Sequence, residues 1–174
     1  MCHDFGKGTT YFQRYLEIDF NGIEKDHGPI SAMFTYWMLP EKWKHLGFLI
    51  VKKHHGDITN ASDEGRIDEV SWDFKRQIKD ILDNTIDELN QIYDKYLEGK
   101  NIEAFLNWLD DESNLKSIKK EFRKKKYNIE DLLLCEYVYS LLLTGDKSQL
   151  IRNDAYIPDK QYPLSFIENY KTDL

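Results

Sequence analysis

The spacing of apolar residues between positions 71 and 98 constrains the fold of this chain more than any other feature. Isoleucine, leucine and tyrosine recur there at steps of three and four residues, with acidic residues such as Asp83 between them and Gly99 directly afterwards. This spacing places the apolar side chains on one face of an α-helix, and glycine commonly stands just beyond a helix end. Asp80 also falls between the apolar positions.

Further segments show the same helical periodicity. Residues 30–38 and 41–54 predict two helices that meet at Pro40, and residues 115–122 carry a shorter apolar stripe. Residues 129–143 are apolar on nearly every side, which predicts a central and buried helix. Because no segment combines strand-like alternation with hairpin turns, the sequence predicts an all-α fold.

Length and composition favour one domain that spans residues 1–174, with 41% hydrophobic residues and no linker-like run. The N-terminus lacks the features of a signal peptide, and no apolar run is long enough to cross a bilayer. Cys2 and Cys135 have no metal-ligand spacing and suit a reducing compartment. We therefore expect a cytoplasmic protein without membrane association.

Charge gives a weaker indication of partners. The net charge of -7 argues against a protein that simply coats DNA. A basic run at residues 119–126 is able to contact a phosphate backbone, but a solvated helix face is the favoured interpretation.

Histidine and aspartate residues recur along the chain in an order that is typical of a metal site. They are His3, Asp4, His27, His54, His55 and Asp146. Imidazoles and carboxylates from separate helices can hold one or two divalent ions, which turn bound water into hydroxide near neutral pH. The mixed donor set favours a transition metal such as Mn²⁺, Ni²⁺ or Co²⁺, with Mg²⁺ as the alternative. Lys7 adds a cation one helical turn away that can hold a phosphoryl oxygen.

Helical phase separates His45 from these candidates. In a helix over 41–54, His54 continues the apolar stripe, whereas His45 lies on roughly the opposite side and is interpreted as a surface or packing residue. His54 and His55 can reach the same ion only if the helix stops there, and Gly56 is a suitable stop. Each feature alone also has a structural interpretation, such as a hydrogen-bonded histidine or an ordinary turn, and their joint occurrence favours the metal site.

The ordered motifs resemble the HD metal-dependent phosphohydrolase superfamily and, more narrowly, the HD nuclease domain of the type I CRISPR-associated helicase-nuclease. The similar residues are His3-Asp4-Phe5-Gly6-Lys7, Phe12-Gln13, Tyr15-Leu16, Asp26-His27-Gly28-Pro29-Ile30-Ser31-Ala32, His54-His55-Gly56 and Leu141-Leu142-Leu143-Thr144-Gly145-Asp146-Lys147. The resemblance implies an HD-domain-like helical bundle with a metal site in its centre. It also implies an activity, the divalent-metal-dependent hydrolysis of phosphodiester bonds in single-stranded DNA, with RNA cleaved by some members.

The resemblance further implies roles for individual residues. One ion would be held by His3, Asp4 and Asp146, and a second, bridged by Asp4, would be held by His27, His54 and His55. Asp4 and Lys7 would be the catalytic residues, with Lys7 near the scissile phosphate. The implied partners are single-stranded nucleic acid, a helicase subunit or domain, and an RNA-guided surveillance complex in antiviral defence.

The chain departs from that family in two places. The family has a further metal-binding histidine on an upstream helix, so we expect the first ion to be one ligand short here, and Gly28 stands where serine is usual. Helicase motifs are absent from this chain. Two alternatives stay open: a phosphohydrolase of a nucleotide or cyclic nucleotide, and a catalytically impaired remnant that acts as an interaction module.

Overall fold

The computed structural model describes residues 2–18, 22–56 and 71–151, and every regular element in these ranges is a helix. The α-helices are α1 Thr10–Ile18, α2 Gly28–Met38, α3 Lys44–Lys52, α4 Ser71–Asp80, α5 Ile86–Tyr93, α6 Ile102–Asp110, α7 Glu112–Lys124 and α8 Ile129–Ile151. Shorter 3-10 helices cover Cys2–Gly8, Ile23–Lys25 and Asp94–Tyr96, and a π-helical turn, Ile81–Thr85, joins α4 to α5. The predicted all-α class is confirmed for the described residues.

The chain divides into two compact units after Ser140. The first unit contains α1 to α7 and the first part of α8, and the described part of the second unit is the rest of α8, from Leu141 to Ile151. Asp146 belongs to the second unit. Among the described residues, no helix has the length and apolar content needed to cross a bilayer.

Aromatic rings fill the core of the first unit. Phe5 is fully buried and stacks on Phe34 of α2, with ring centroids 4.2 Å apart. Phe105 of α6 packs edge-on against both rings, and Tyr93 of α5 completes the cluster. Because burial of a phenylalanine contributes about 2 kcal/mol, Phe5 anchors the N-terminal 3-10 helix against α2.

Local sequence explains where α2 and α3 begin and end. Pro29 occupies the first turn of α2, where its missing N–H costs nothing, and the Asp26 carboxylate accepts a hydrogen bond from the Gly28 N–H at 3.1 Å. α2 ends at Met38, shortly before Pro40. α3 ends at Lys52, two residues earlier than the predicted helix, and a turn follows it.

The prediction that residues 129–143 form a buried helix is wrong. Of the α8 side chains that the structure describes, Cys135 alone is buried, while Leu133 and Tyr137 are 59% and 63% exposed. A helix that is apolar on every side has no preferred face, so its sequence cannot report how many sides are covered.

The helix predicted over 71–98 is interrupted by the π-helical turn, and Asp80 does not lie on an exposed face. Asp80 is only 7% exposed, and its carboxylate accepts hydrogen bonds from the backbone N–H and hydroxyl of Thr10 at 2.7 and 2.6 Å. It thereby satisfies a donor at the start of α1, a partner that periodicity within one helix cannot indicate. The helical region ends before Gly99, whose φ of 86° suits glycine.

Candidate metal centre

Three imidazole rings converge between the start of α2 and the turn that follows α3. The Nε2 atom of His27 lies 3.2 Å from that of His54 and 3.1 Å from that of His55. The candidate ligand atoms of all three lie within 4.8 Å of one another. Two nitrogens bound to one tetrahedral metal at about 2.0–2.1 Å are themselves about 3.3 Å apart. The observed spacing therefore matches ligands that share one divalent ion.

A backbone contact fixes the tautomer of His54. Its Nδ1 lies 2.6 Å from the carbonyl oxygen of Val51. Because a carbonyl only accepts, Nδ1–H donates, and the lone pair of Nε2 faces the other two rings. His54 and His27 are 2% and 5% exposed, whereas His55 is exposed. The cluster is thus buried on the side of His27 and His54 and open to solvent on the side of His55.

Burial keeps the two inner rings neutral. Burial first, and then the neighbouring His54 and His55, lower the pKa of His27 to about 3. Burial also lowers the pKa of His54, although its hydrogen bond to Val51 opposes that shift. Neutral imidazole is the metal-binding form, so near neutral pH these rings present lone pairs without first releasing protons.

A carboxylate and an ammonium group lie beside the imidazole cluster. Lys7 Nζ lies 2.7 Å from Asp4 Oδ1, and His3 Nε2 lies 3.2 Å from Asp4 Oδ2. Partial burial opposes ionisation of Asp4, but hydrogen bonds from His3 and Lys7 outweigh it and hold the pKa of this carboxyl well below its usual range. The ring centroid of His3 is 5.5 Å from that of His54, which connects the two groups of residues.

Gly6 allows the N-terminal 3-10 helix to approach α2 closely. The Gly6 N–H donates to Ser31 Oγ at 2.9 Å. A Cβ atom at Gly6 would lie 2.7 Å from the carbonyl oxygen of His27 and 2.5 Å from Cγ2 of Ile30. Any larger residue would push His3 and Asp4 away from His27, which gives the glycine of the His-Asp-Phe-Gly-Lys string a structural reason.

Gln77 positions the segment that precedes His27. Its side chain is 1% exposed, and its Nε2 donates to the carbonyl oxygens of Glu24 at 2.9 Å and Asp26 at 3.1 Å. These bonds hold the entry to α2 against α4. Sequence reasoning missed Gln77, because it belongs to no motif and its partners lie 53 and 51 residues away.

Tyr139 of α8 holds the turn that carries the histidine pair. Its hydroxyl lies 3.1 Å from the carbonyl oxygen of Lys53 and also contacts that of Gly56, on either side of the pair. Sequence reasoning missed this residue too, because a tyrosine in an apolar helix carries no signal of such a role.

His45 is kept apart from this cluster. It lies near the start of α3, is 5% exposed, and packs edge-on against Tyr36 and Phe122. It is therefore a packing residue, and the alternative of a surface residue is wrong.

The structure places five of the six predicted ligands in the first unit, as two adjoining groups: His3 with Asp4, and His27, His54 and His55. Asp146 lies in the second unit. That any of them binds a metal stays a prediction, as does the pairing of Asp146 with His3 and Asp4.

A segment of this chain is similar to part of a known protein. An alignment of 67 residues, covering 34% of this chain, is 34% identical to the CRISPR-associated nuclease/helicase Cas3 of Haloferax volcanii and spans 7% of that protein. No family model matches the chain. No solved structure matches it. The similarity shows a distant relation of this segment to a small part of Cas3.

Proposed function

We propose that this chain is a divalent-metal-dependent nuclease that hydrolyses phosphodiester bonds in single-stranded DNA, with RNA as a further substrate, in cytoplasmic CRISPR antiviral defence. The observation that carries the proposal is the convergence of the Nε2 atoms of His27, His54 and His55 beside the Asp4–Lys7 pair. The similarity of one segment to Cas3 supports the CRISPR context. On this proposal, residues 1–174 form one HD-domain-like bundle that works with a helicase subunit or domain and an RNA-guided surveillance complex.

The donor chemistry fits a transition metal. His27, His54 and His55 would hold one ion, and His3 and Asp4 would help to hold a second. Imidazole donors suit Mn²⁺, Ni²⁺ or Co²⁺ better than Mg²⁺, which prefers oxygen ligands. When bound, such an ion makes water acidic enough to act as a nucleophile at neutral pH and offsets charge on the departing oxygen.

The residues beside the cluster would bind and orient the phosphate. The Lys7 side chain is 33% exposed, so its ammonium group can hold a phosphate oxygen while its contact with Asp4 fixes its position. Asp4 stays ionised over the working pH range, because His3 and Lys7 lower its pKa. Exposed His55 marks the side from which a flexible single strand would enter.

Nuclease assays on single-stranded and duplex DNA test this proposal. With Mn²⁺, Ni²⁺ or Co²⁺ supplied, we expect cleavage of a labelled single strand and far slower cleavage of the same sequence as a duplex. The reason is that a stacked duplex cannot easily present its phosphate to a buried centre. Equal cleavage of both substrates, or no cleavage with any of these ions, would contradict the proposal.

A second candidate function is hydrolysis of a free nucleotide or cyclic nucleotide. A cavity of about 340 Å³ beside Asp4 and Lys7 favours it, because this volume is within the range of small-molecule pockets. Assays with mononucleotides and oligonucleotides on the same protein separate the two functions. Elemental analysis separates both from an inactive interaction module, which should retain no metal in stoichiometric amounts.

A further inference from the structure

The cavity beside the candidate metal centre has an apolar side that is built into the core. Leu89 and Tyr93 of α5 line it and are 3% and 5% exposed, while Ile92, 52% exposed, stands at its rim. Gly8 also lines the cavity, and its backbone packs directly against Leu89, because a Cβ atom there would lie 2.6 Å from Leu89 Cδ2. Such a surface suits the face of a flat ring.

Four polar residues also line the cavity. Asp4 and Lys7 border it on the side of the metal centre, and Gln13 and Glu88 contribute elsewhere to its lining. Gln13 Nε2 donates to the Lys7 carbonyl oxygen at 2.7 Å, which fixes the amide in place. The Glu88 carboxylate can accept hydrogen bonds but not donate them, and it would repel a second phosphate.

This mixture of apolar residues and a carboxylate suits a neutral nucleobase better than a second phosphate group. The exocyclic amino groups of cytosine, adenine and guanine donate hydrogen bonds, and a carboxylate is a suitable acceptor for the amino group of cytosine. Thymine lacks such a donor and offers carbonyl oxygens instead. Aromatic side chains stack on the face of any unpaired base, and apolar side chains pack against it in base-binding pockets.

We infer that this cavity binds the nucleobase attached to the phosphate that Lys7 holds, and that Glu88 makes it prefer bases with an exocyclic amino group. The inference rests on the proposed function and names the substrate group recognised at that same site. A strand and a free nucleotide present the same base and phosphate, and the test below distinguishes them.

Binding of short homopolymers to the full chain tests the inference. Fluorescence anisotropy with labelled oligo-dC and oligo-dT, in the presence of a chelator, measures affinity without hydrolysis. We expect oligo-dC to bind about fivefold more tightly than oligo-dT, the size of one net hydrogen bond. Glu88→Leu should remove that difference, and Ile92→Trp, which fills the rim, should weaken both about tenfold.

A matched control replaces another exposed aliphatic residue. Leu133→Trp on α8 adds the same ring system at a position that is 59% exposed, and it should bind both oligonucleotides as the wild type does. Circular dichroism of each variant checks that it is folded. Equal binding of oligo-dC and oligo-dT by the wild type would overturn the inference, as would a folded Ile92→Trp variant with wild-type affinity.

Competition by dCMP identifies the source of the base. If dCMP displaces oligo-dC only at far higher concentration, the ligand is a strand. If dCMP competes equally well, the cavity still binds a base but serves a free nucleotide, and the proposed nuclease function fails while the inference holds. Conversely, metal-dependent cleavage of single strands without any base preference in binding would refute the inference alone.

Discussion

The two ends of α3 both carry buried histidine, yet they hold it in different ways. His45 near its start is 5% exposed and His54 just beyond its end is 2% exposed. Burial lowers the pKa of both rings. The difference lies in what each ring faces: His54 points a lone pair at two other imidazoles, whereas His45 faces aromatic rings and a carboxylate.

The surroundings of His45 explain why it forms no metal centre. Its ring centroid is 5.5 Å from that of Tyr36 and 4.9 Å from that of Phe122. Its Nε2 lies 3.5 Å from Glu121 Oε2, too far for a good hydrogen bond, and that oxygen already accepts from Tyr36 at 2.6 Å and from Lys44 at 2.9 Å. Burial and a lowered pKa are therefore common to both rings, and the convergence of lone pairs is what makes His54, and not His45, a candidate metal ligand.

The largest effect should come from removing a converging ring. We expect His54→Ala to lower metal affinity by about 100-fold or more, because the variant loses a candidate ligand whose orientation the Val51 carbonyl fixes. Titration calorimetry with Mn²⁺ or Ni²⁺, followed by elemental analysis after dialysis, measures this. If His54→Ala retained metal and His45→Ala lost it, our assignment of His54 as a candidate ligand and His45 as a packing residue would be reversed.

The opposite result is expected for His45→Ala. Removing a ring packed between Tyr36 and Phe122 leaves a cavity, which should lower the free energy of unfolding by about 2–4 kcal/mol. Metal stoichiometry should stay that of the wild type. Urea unfolding of the metal-free protein and metal analysis of the folded variant give the two readouts, and an unchanged midpoint would show that the ring does not support the core.

The sequence predicts those parts of the fold that depend on local pattern. Helical periodicity identifies the all-α class, and the prolines and Gly99 mark helix ends, because these signals act within a few residues. The exposure of α8 and the burial of Asp80 depend instead on which element packs against them. A periodic pattern reports which face is apolar and not what covers it, so the predicted burial of residues 129–143 was wrong and the partner of Asp80 could not be predicted.

The candidate site likewise contains residues that the sequence predicts and residues that it does not. Its candidate ligands stand in short motifs, and the turn before Gly56 is visible in the sequence. Gln77 and Tyr139 act through backbone carbonyls far away in the chain, and such contacts leave no spacing in the sequence. The reason for Gly6 also emerges only when the His27 carbonyl is seen beside it.

The dependence of stability on pH should distinguish the contribution of His45 at the start of α3 from that of His54 beyond its end. Folding lowers the pKa of His27, His45 and His54, so below about pH 6.5 the unfolded chain binds more protons and stability falls as pH falls. Each such histidine contributes up to about 1.4 kcal/mol per pH unit. Asp4 does not contribute between about pH 5 and 7, because its stabilisation is lost only as the pH falls below about 3.8, the ordinary pKa of its carboxyl, towards the still lower pKa of the folded state.

Urea unfolding between about pH 5 and 7 measures how steeply the free energy of unfolding changes with pH. In the metal-free protein, His45→Phe should make the dependence of stability on pH shallower, by at most the equivalent of one proton, because it removes one ring whose pKa is lowered on folding. With saturating metal, the contribution of His27 and His54 to the free energy of unfolding should depend more steeply on pH, because protons then compete with the ion. The contribution of His45 should stay unchanged. A slope that His45→Phe does not alter would show that His45 is not desolvated on folding.

The smallest effect should come from Tyr36→Phe. The Tyr36 hydroxyl donates to Glu121 Oε2 at 2.6 Å, and burial followed by that carboxylate raises its pKa, so it remains a donor at neutral pH. Glu121 is 37% exposed and keeps Lys44 as a partner, so loss of the hydroxyl should lower the free energy of unfolding by only about 1 kcal/mol.

Tyr137→Phe serves as the control for Tyr36→Phe, because Tyr137 is 63% exposed and its loss of a hydroxyl should change stability by less than about 0.5 kcal/mol. Urea unfolding and metal titration of both variants complete the comparison. Metal affinity should be unchanged in each, because the Tyr36–Glu121 contact lies at the His45 end of α3. A drop in metal affinity for Tyr36→Phe alone would show that the two ends are coupled through this helix, since a rigid α3 would then transmit a change at Lys44 to the turn that holds His54.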